Sequence, residues 1–223
     1  MTEEPGSERS KDEVQSMILL ALFGWILAMP WWSTALGEVS LLTSRSLQAV
    51  SKIFAIAAML FLAPRLLSRF DPLRLLRWPG RRAIVCGVLS YLALVPLLIW
   101  LTLSFDSPEG SQRVAGELRD TSSGWLRGVI FVYAVLVTPF FEEIIFRGLL
   151  QGAFRAVLPA LGAVALASFL FALVHPLPLL IPIALLSILI GVAFERSRSL
   201  WLPILLHALH NGVAYYVTVY GAF

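Results

Sequence analysis

The chain predicts an all-α fold, a polytopic transmembrane helical bundle with about seven membrane spans, and three observations carry that prediction. Its 223 residues are 58% hydrophobic and only 14% charged, with a mean hydropathy of +0.82, which leaves too little charge to cover a soluble domain. Apolar runs near the roughly 20 residues that a helix needs to cross a bilayer recur from end to end. The charges that exist gather in short connecting segments. A pI near 9.4 then reads as basic cytoplasmic loops rather than as a nucleic-acid surface, and no nucleic-acid partner is expected. Cys86, the single cysteine, lies inside an apolar run, which excludes an intramolecular disulfide framework and a clustered-thiolate metal site.

In chain order, residues 1–15 read as a polar cytoplasmic N-terminus, more acidic than basic through Glu13 and unlike a cleaved signal peptide. The first span runs from about Ser16 to Leu36, with Pro30, Trp31 and Trp32 marking an interface. The second, about Leu47 to Leu62, carries Lys52, for which snorkelling to the surface is the expected case and an interior position the alternative. Residues 64–82 hold Arg65, Arg69, Arg74, Arg77, Arg81 and Arg82 against Asp71 alone, with Pro72 and Pro79 as breakers. By the positive-inside rule this is a cytoplasmic loop, and two crossings back the N-terminus is cytoplasmic as well. A third span from about Ala83 to Leu103 leads to a polar segment of mixed sign, Ser104 to Gly124, suited to the opposite side. Residues 16–124 thus form an N-terminal transmembrane region, and 125–223 a second one bearing the chemistry. In the latter, an apolar stretch from Trp125 to about Val157 exceeds the hydrocarbon thickness and must tilt, kink or emerge; Pro139 supplies the kink. Spans follow at about Leu161 to His175, Leu177 to Phe194 and Trp201 to Val219, with Glu195, Arg196 and Arg198 in a connection that alternation returns to the cytoplasm.

Within the long stretch, Thr138-Pro-Phe-Phe-Glu-Glu-Ile-Ile-Phe-Arg147 places two carboxylates and a guanidinium among apolar residues, where each charge costs roughly 2.5 to 3.5 kcal/mol at a helix centre. Glu143 and Arg147 stand four apart with the acid first, the favourable order for a pair on one helix face. Glu142 points about 100° away and is left for another element. Burial and neighbouring cations oppose each other in setting whether it serves as a base. The bland alternative is a buried charge network that only fixes packing. All three histidines follow. His175 sits four residues after Phe171 on one face, His207 four before Asn211 on another, and His210 partly shares the face of His207 as a spare candidate. Interhelical hydrogen bonding alone would also account for such residues.

The ordered set Glu-Glu-x-x-x-Arg (Glu142, Glu143, Arg147), Phe-x-x-x-His (Phe171, His175) and His-x-x-x-Asn (His207, Asn211) resembles the CPBP family of intramembrane proteases, the CAAX protease and bacteriocin-processing family. Phe146-Arg147-Gly148 and Ser199-Leu-Trp-Leu-Pro-Ile204 extend the likeness, which covers about Thr138 to Gly212. The resemblance implies an intramembrane endopeptidase that hydrolyses a peptide bond with an activated water and no acyl-enzyme. Glu142 would be the general base, His175 its partner and the proton donor to the leaving amine, and His207 with Asn211 the oxyanion donors. Glu143, Arg147 and Phe171 would support them. The implied partners are a membrane-embedded or membrane-anchored protein substrate and the lipid bilayer, in a plasma membrane of prokaryotic type. No cofactor is expected; the alternative is a zinc ion held by Glu142, His175 and His207, although no His-Glu-x-x-His pair presets two ligands. The rival function is a non-catalytic immunity or scaffold protein using the polar cluster for packing. Gly148-x-x-x-Gly152 reads as a close-packing face inside the bundle.

Overall fold

The computed structural model describes residues 5–28, 41–66, 72–105 and 123–220, and every regular element among them is helical. Helix α1 covers Pro5–Ala28, α2 Leu41–Leu66, the short α3 Pro72–Leu75 and α4 Arg81–Phe105. The long helix α5, Gly124–Val157, is followed by α6 (Ala160–Leu173), a 3-10 turn at Leu177–Leu179, α7 (Leu180–Ser197) and α8 (Trp201–Tyr220). Pro30, Trp31 and Trp32, the middle of the basic loop and the polar segment 106–122 lie outside the described residues. The first helix starts well inside the residues expected to be a polar tail, since no breaker separates Ser7 from Met17.

Four helices of the described residues are long and apolar enough to cross a membrane: Ser46–Ala63, Arg81–Phe105, Gly124–Val157 and Leu177–Ser197. The expected seven are therefore not all established. Helix α6, at 14 residues, rises about 21 Å, short of a bilayer core of about 30 Å.

Helix α5 is central, 50% buried where the windows in α2 and α4 are 17% and 22%. Its ladder is not uniform. Segments Val132–Val137 and Ile144–Gln151 are π-helical and flank Thr138–Glu143, a widening that recurs at functional sites. Pro139 explains the first of them. The Thr138 N–H bonds Tyr133 C=O, five residues back, and in that register the next acceptor, Ala134 C=O, would need a donor from Pro139, which has none. Asn211 Nδ2 on α8 donates to that oxygen instead, at 2.8 Å.

Helices α5 and α7 run parallel, joined by Arg147 to Ser187, Gln151 to Gly191 and Arg155 to Glu195. Helix α6 returns between them. There is little hydrophobic drive between helices in lipid, so close contact decides the packing. A Cβ on Gly191 would stand 3.0 Å from Val164 Cγ1, and one on Gly152 2.9 Å from Met17 Cε, so Gly152 serves packing of α5 on α1 within one bundle. One core joins α1 and α2 to α5 through Met17, Leu20, Ala55, Met59, Phe141 and Ile145; another joins α4, α7 and α8 through Tyr91, Leu98, Ile190 and Leu206.

Connections cluster at one end. Leu200 N–H donates to Leu75 C=O at 2.7 Å, Ser199 Oγ to Arg77 C=O at 2.6 Å and Trp201 Nε1 to Leu76 C=O at 2.7 Å. Arg155, which donates to Leu158 C=O, pairs with Glu195. The basic segment, the α5–α6 turn and the α7–α8 turn thus share a side, as alternation of spans requires.

Candidate active site

Both glutamates reach His207, from opposite sides of its ring. Glu143 Oε1 accepts from His207 Nδ1 at 2.8 Å, and Glu142 Oε2 stands 3.9 Å from His207 Nε2. Glu143 also meets Arg147, its Oε2 lying 3.0 Å from Nε with both side chains wholly buried. Glu143 is therefore shared between guanidinium and imidazole rather than occupied by Arg147 alone. A carboxylate can only accept, so the bond places an N–H at His207 Nδ1 and turns Nε2 toward Glu142.

Arg147 is held in turn by α7, donating from Nη2 to Ser187 Oγ at 2.8 Å and to Ser187 C=O at 3.3 Å. Its Cζ lies 5.5 Å from the centroid of Phe171. That ring is the hub of the site's aromatic wall. It meets Phe146 edge-on at 4.9 Å, His207 edge-on at 5.6 Å and His175 at 4.6 Å.

His175 lies just past the end of α6, where its backbone N–H bonds Ala172 C=O. Its Nδ1 donates to Phe171 C=O at 2.7 Å; a carbonyl only accepts, so Nε2 carries the free lone pair. No hydrogen bond or ion pair joins His175 directly to Glu142 among the described residues; Phe171 links it to His207.

Asn211 stands next to the site with one amide N–H on Ala134 C=O and the second N–H free of that bond. Asn211→Ala is expected to remove the only side-chain donor to Ala134 C=O among the described residues, at a cost of about 0.5–1.5 kcal/mol for a half-buried hydrogen bond, read as a lower thermal midpoint. Loss of activity would accompany it. His210, the spare candidate, faces away toward α4, its Nδ1 3.4 Å from Tyr91 Oη and the rings edge-on.

Lys52, for which snorkelling is the expected case, takes the interior position that is its alternative. It does not snorkel. Its Nζ, on a side chain 12% exposed, lies 3.8 Å from Glu142 Oε1 and donates to Thr138 Oγ1 at 3.0 Å. The rings of Tyr133 and Phe141 lie 5.0 and 5.5 Å away. A charge inside an apolar span invites a search for its partner, and that was the available signal.

The zinc alternative requires Glu142, His175 and His207 to converge within metal-ligand distances. Among the described residues no group of three or more His, Cys, Asp or Glu side chains is placed to hold a metal ion.

Long apolar helices around a buried carboxylate–imidazole cluster define an integral membrane protein with an interior polar site. Residues 124–213 match the family model described as type II CAAX prenyl endopeptidase Rce1-like, a model of the CPBP family. The matched segment begins with α5 and ends just beyond Asn211, enclosing every residue of the three motifs. No curated protein and no solved structure matches the chain. The family gives the matched segment the kind of function of a CAAX-type intramembrane protease.

Proposed function

We propose that the chain is an intramembrane endopeptidase that hydrolyses a peptide bond in the membrane-proximal tail or transmembrane segment of a protein substrate, using a water activated by Glu142 and His175. The observation that carries this reading is the pair of carboxylates on His207. Glu143 is consumed by Arg147 and His207, whereas Glu142 Oε2 stands at 3.9 Å from Nε2, too far for a direct hydrogen bond and a span that one water bridges.

In the proposed sequence, Glu142 takes a proton from water as its oxygen bonds to the scissile carbonyl carbon. The oxyanion so formed accepts from His207 Nε2–H, in the protonated ring, and from the second N–H of Asn211. Collapse re-forms the carbonyl and breaks the C–N bond, and the proton that Glu142 took from water passes to the lone pair of His175 Nε2, which delivers it to the leaving amine. Donors of this kind are worth about 2.7 to 4 kcal/mol each in a site that excludes water. Phe171 touches both imidazole rings and Arg147, and Glu143 holds the Nδ1–H of His207 and so the direction of its Nε2. None of these steps calls on a metal ion.

The 64–82 connection is assigned to the cytoplasm of a prokaryotic plasma membrane, supported by its basic content and the shared end of the connections, and the N-terminus, two crossings back, is assigned to the same side. The test is cleavage by the full chain, purified in detergent, of an internally quenched farnesylated CAAX-type peptide and of a quenched single-span transmembrane peptide. Mass spectrometry locates the new ends. Cleavage of at least one, unchanged within about twofold by EDTA or 1,10-phenanthroline, is the expected result. Loss of activity restored by zinc would replace the water-activation scheme with a metal-dependent one.

A further inference from the structure

We propose that Lys52 is a positioning residue of the active site, holding one oxygen of Glu142 so that the other stays directed at His207 and the attacking water. The proposal rests on the protease reading above and adds to it a residue from α2, outside the matched segment 124–213.

Geometry supports the assignment. Thr138 and Glu142 are one turn apart on α5, and the ammonium sits against both, donating to Thr138 Oγ1 at 3.0 Å with Glu142 Oε1 at 3.8 Å. The faces of Tyr133 and Phe141 cover the rest of the cation, a favourable arrangement for a desolvated ammonium. The cation is thus satisfied by α5 without leaving the bundle. Each oxygen of Glu142 then has its own neighbour, Lys52 at Oε1 and His207 at Oε2. The two opposed attractions keep the carboxylate from turning about its terminal torsion, which is otherwise broad, and from closing onto Nε2 as a direct ion pair. Such a closure would occupy the oxygen that must take the water's proton. The backing for this placement is firm: Ala55 and Met59, one and two turns on from Lys52, are fully buried in the core shared with Phe141 and Ile145.

The test uses the full chain in detergent and the peptide substrates named above. Lys52→Met, of similar length and no charge, is expected to lower kcat at least tenfold with KM within about twofold, and Lys52→Arg to recover part of the loss. A double-mutant cycle of thermal midpoints on Lys52→Met and Glu142→Gln reads the pairing without reference to activity. The expected result is a shift from Lys52→Met that shrinks in the Glu142→Gln background. If Lys52→Met fails to accumulate, Thr138→Val replaces it in both measurements, since it removes the oxygen that fixes Nζ and keeps the charge. Additive midpoints, or a Lys52→Met enzyme with wild-type kcat, overturn the proposal. Coupled midpoints in a protein that cleaves neither peptide sink the protease reading and leave Lys52 paired with Glu142.

Discussion

Glu142→Gln is expected to lower the cleavage rate by about 100- to 10,000-fold, the range over which a positioned acid–base group acts, while the fold survives. The substitution is close to isosteric. Its carboxamide oxygen still accepts from Lys52, and its nitrogen occupies the position 3.9 Å from His207, but it cannot take a proton from water. Glu143→Gln makes the contrast. It perturbs a carboxylate with two direct partners, His207 at 2.8 Å and Arg147 at 3.0 Å, and is expected to cost both stability and activity. Single-turnover rates and thermal midpoints measured side by side separate the two. A Glu142→Gln enzyme with wild-type turnover would remove Glu142 from the mechanism, and the family likeness would then not extend to its chemistry.

What could be read in the sequence was what one helix decides by itself. The i,i+4 spacing of Glu143 and Arg147 predicts a pair because both side chains leave one face of one helix, and the structure has that pair. The apolar surroundings predict burial, and both residues are fully buried. What lies across from a face depends on which helix packs there, and no local period encodes it. Glu143 therefore appeared spoken for by Arg147, although a residue 64 positions away takes its other oxygen. The same limit hid the partners of Lys52. A lysine in an apolar run reaches the surface when its neighbours offer nothing, and here α5 offers Thr138, Glu142 and two rings. Pro139 announced a break in the ladder but not its register. The register leaves Ala134 C=O rather than Val135 C=O without a donor, and so defines what Asn211 binds. Helix α6 matches the expected Leu161 to His175 to within two residues at each end, and its 14 residues are short of a bilayer crossing.

The largest stability effect is expected from Arg147→Ala, about 3–5 kcal/mol, the cost of removing one member of a buried ion pair. The guanidinium has no exposure, and its loss strands the Glu143 carboxylate with His207 as its one remaining partner among the described residues and leaves Ser187 Oγ without the Arg147 donor. A lower thermal midpoint in detergent, with cleavage lost, measures it. The double substitution Arg147→Met with Glu143→Met separates packing from chemistry. Well-packed apolar residues in place of a buried pair are often neutral or stabilising, so the midpoint should recover most of its fall. Activity should not, because His207 Nδ1 then has no carboxylate to hold its proton and fix the direction of Nε2. Recovery of both would reduce Glu143 and Arg147 to helix packing. Recovery of stability alone would show that this buried pair is kept for the orientation of one imidazole ring.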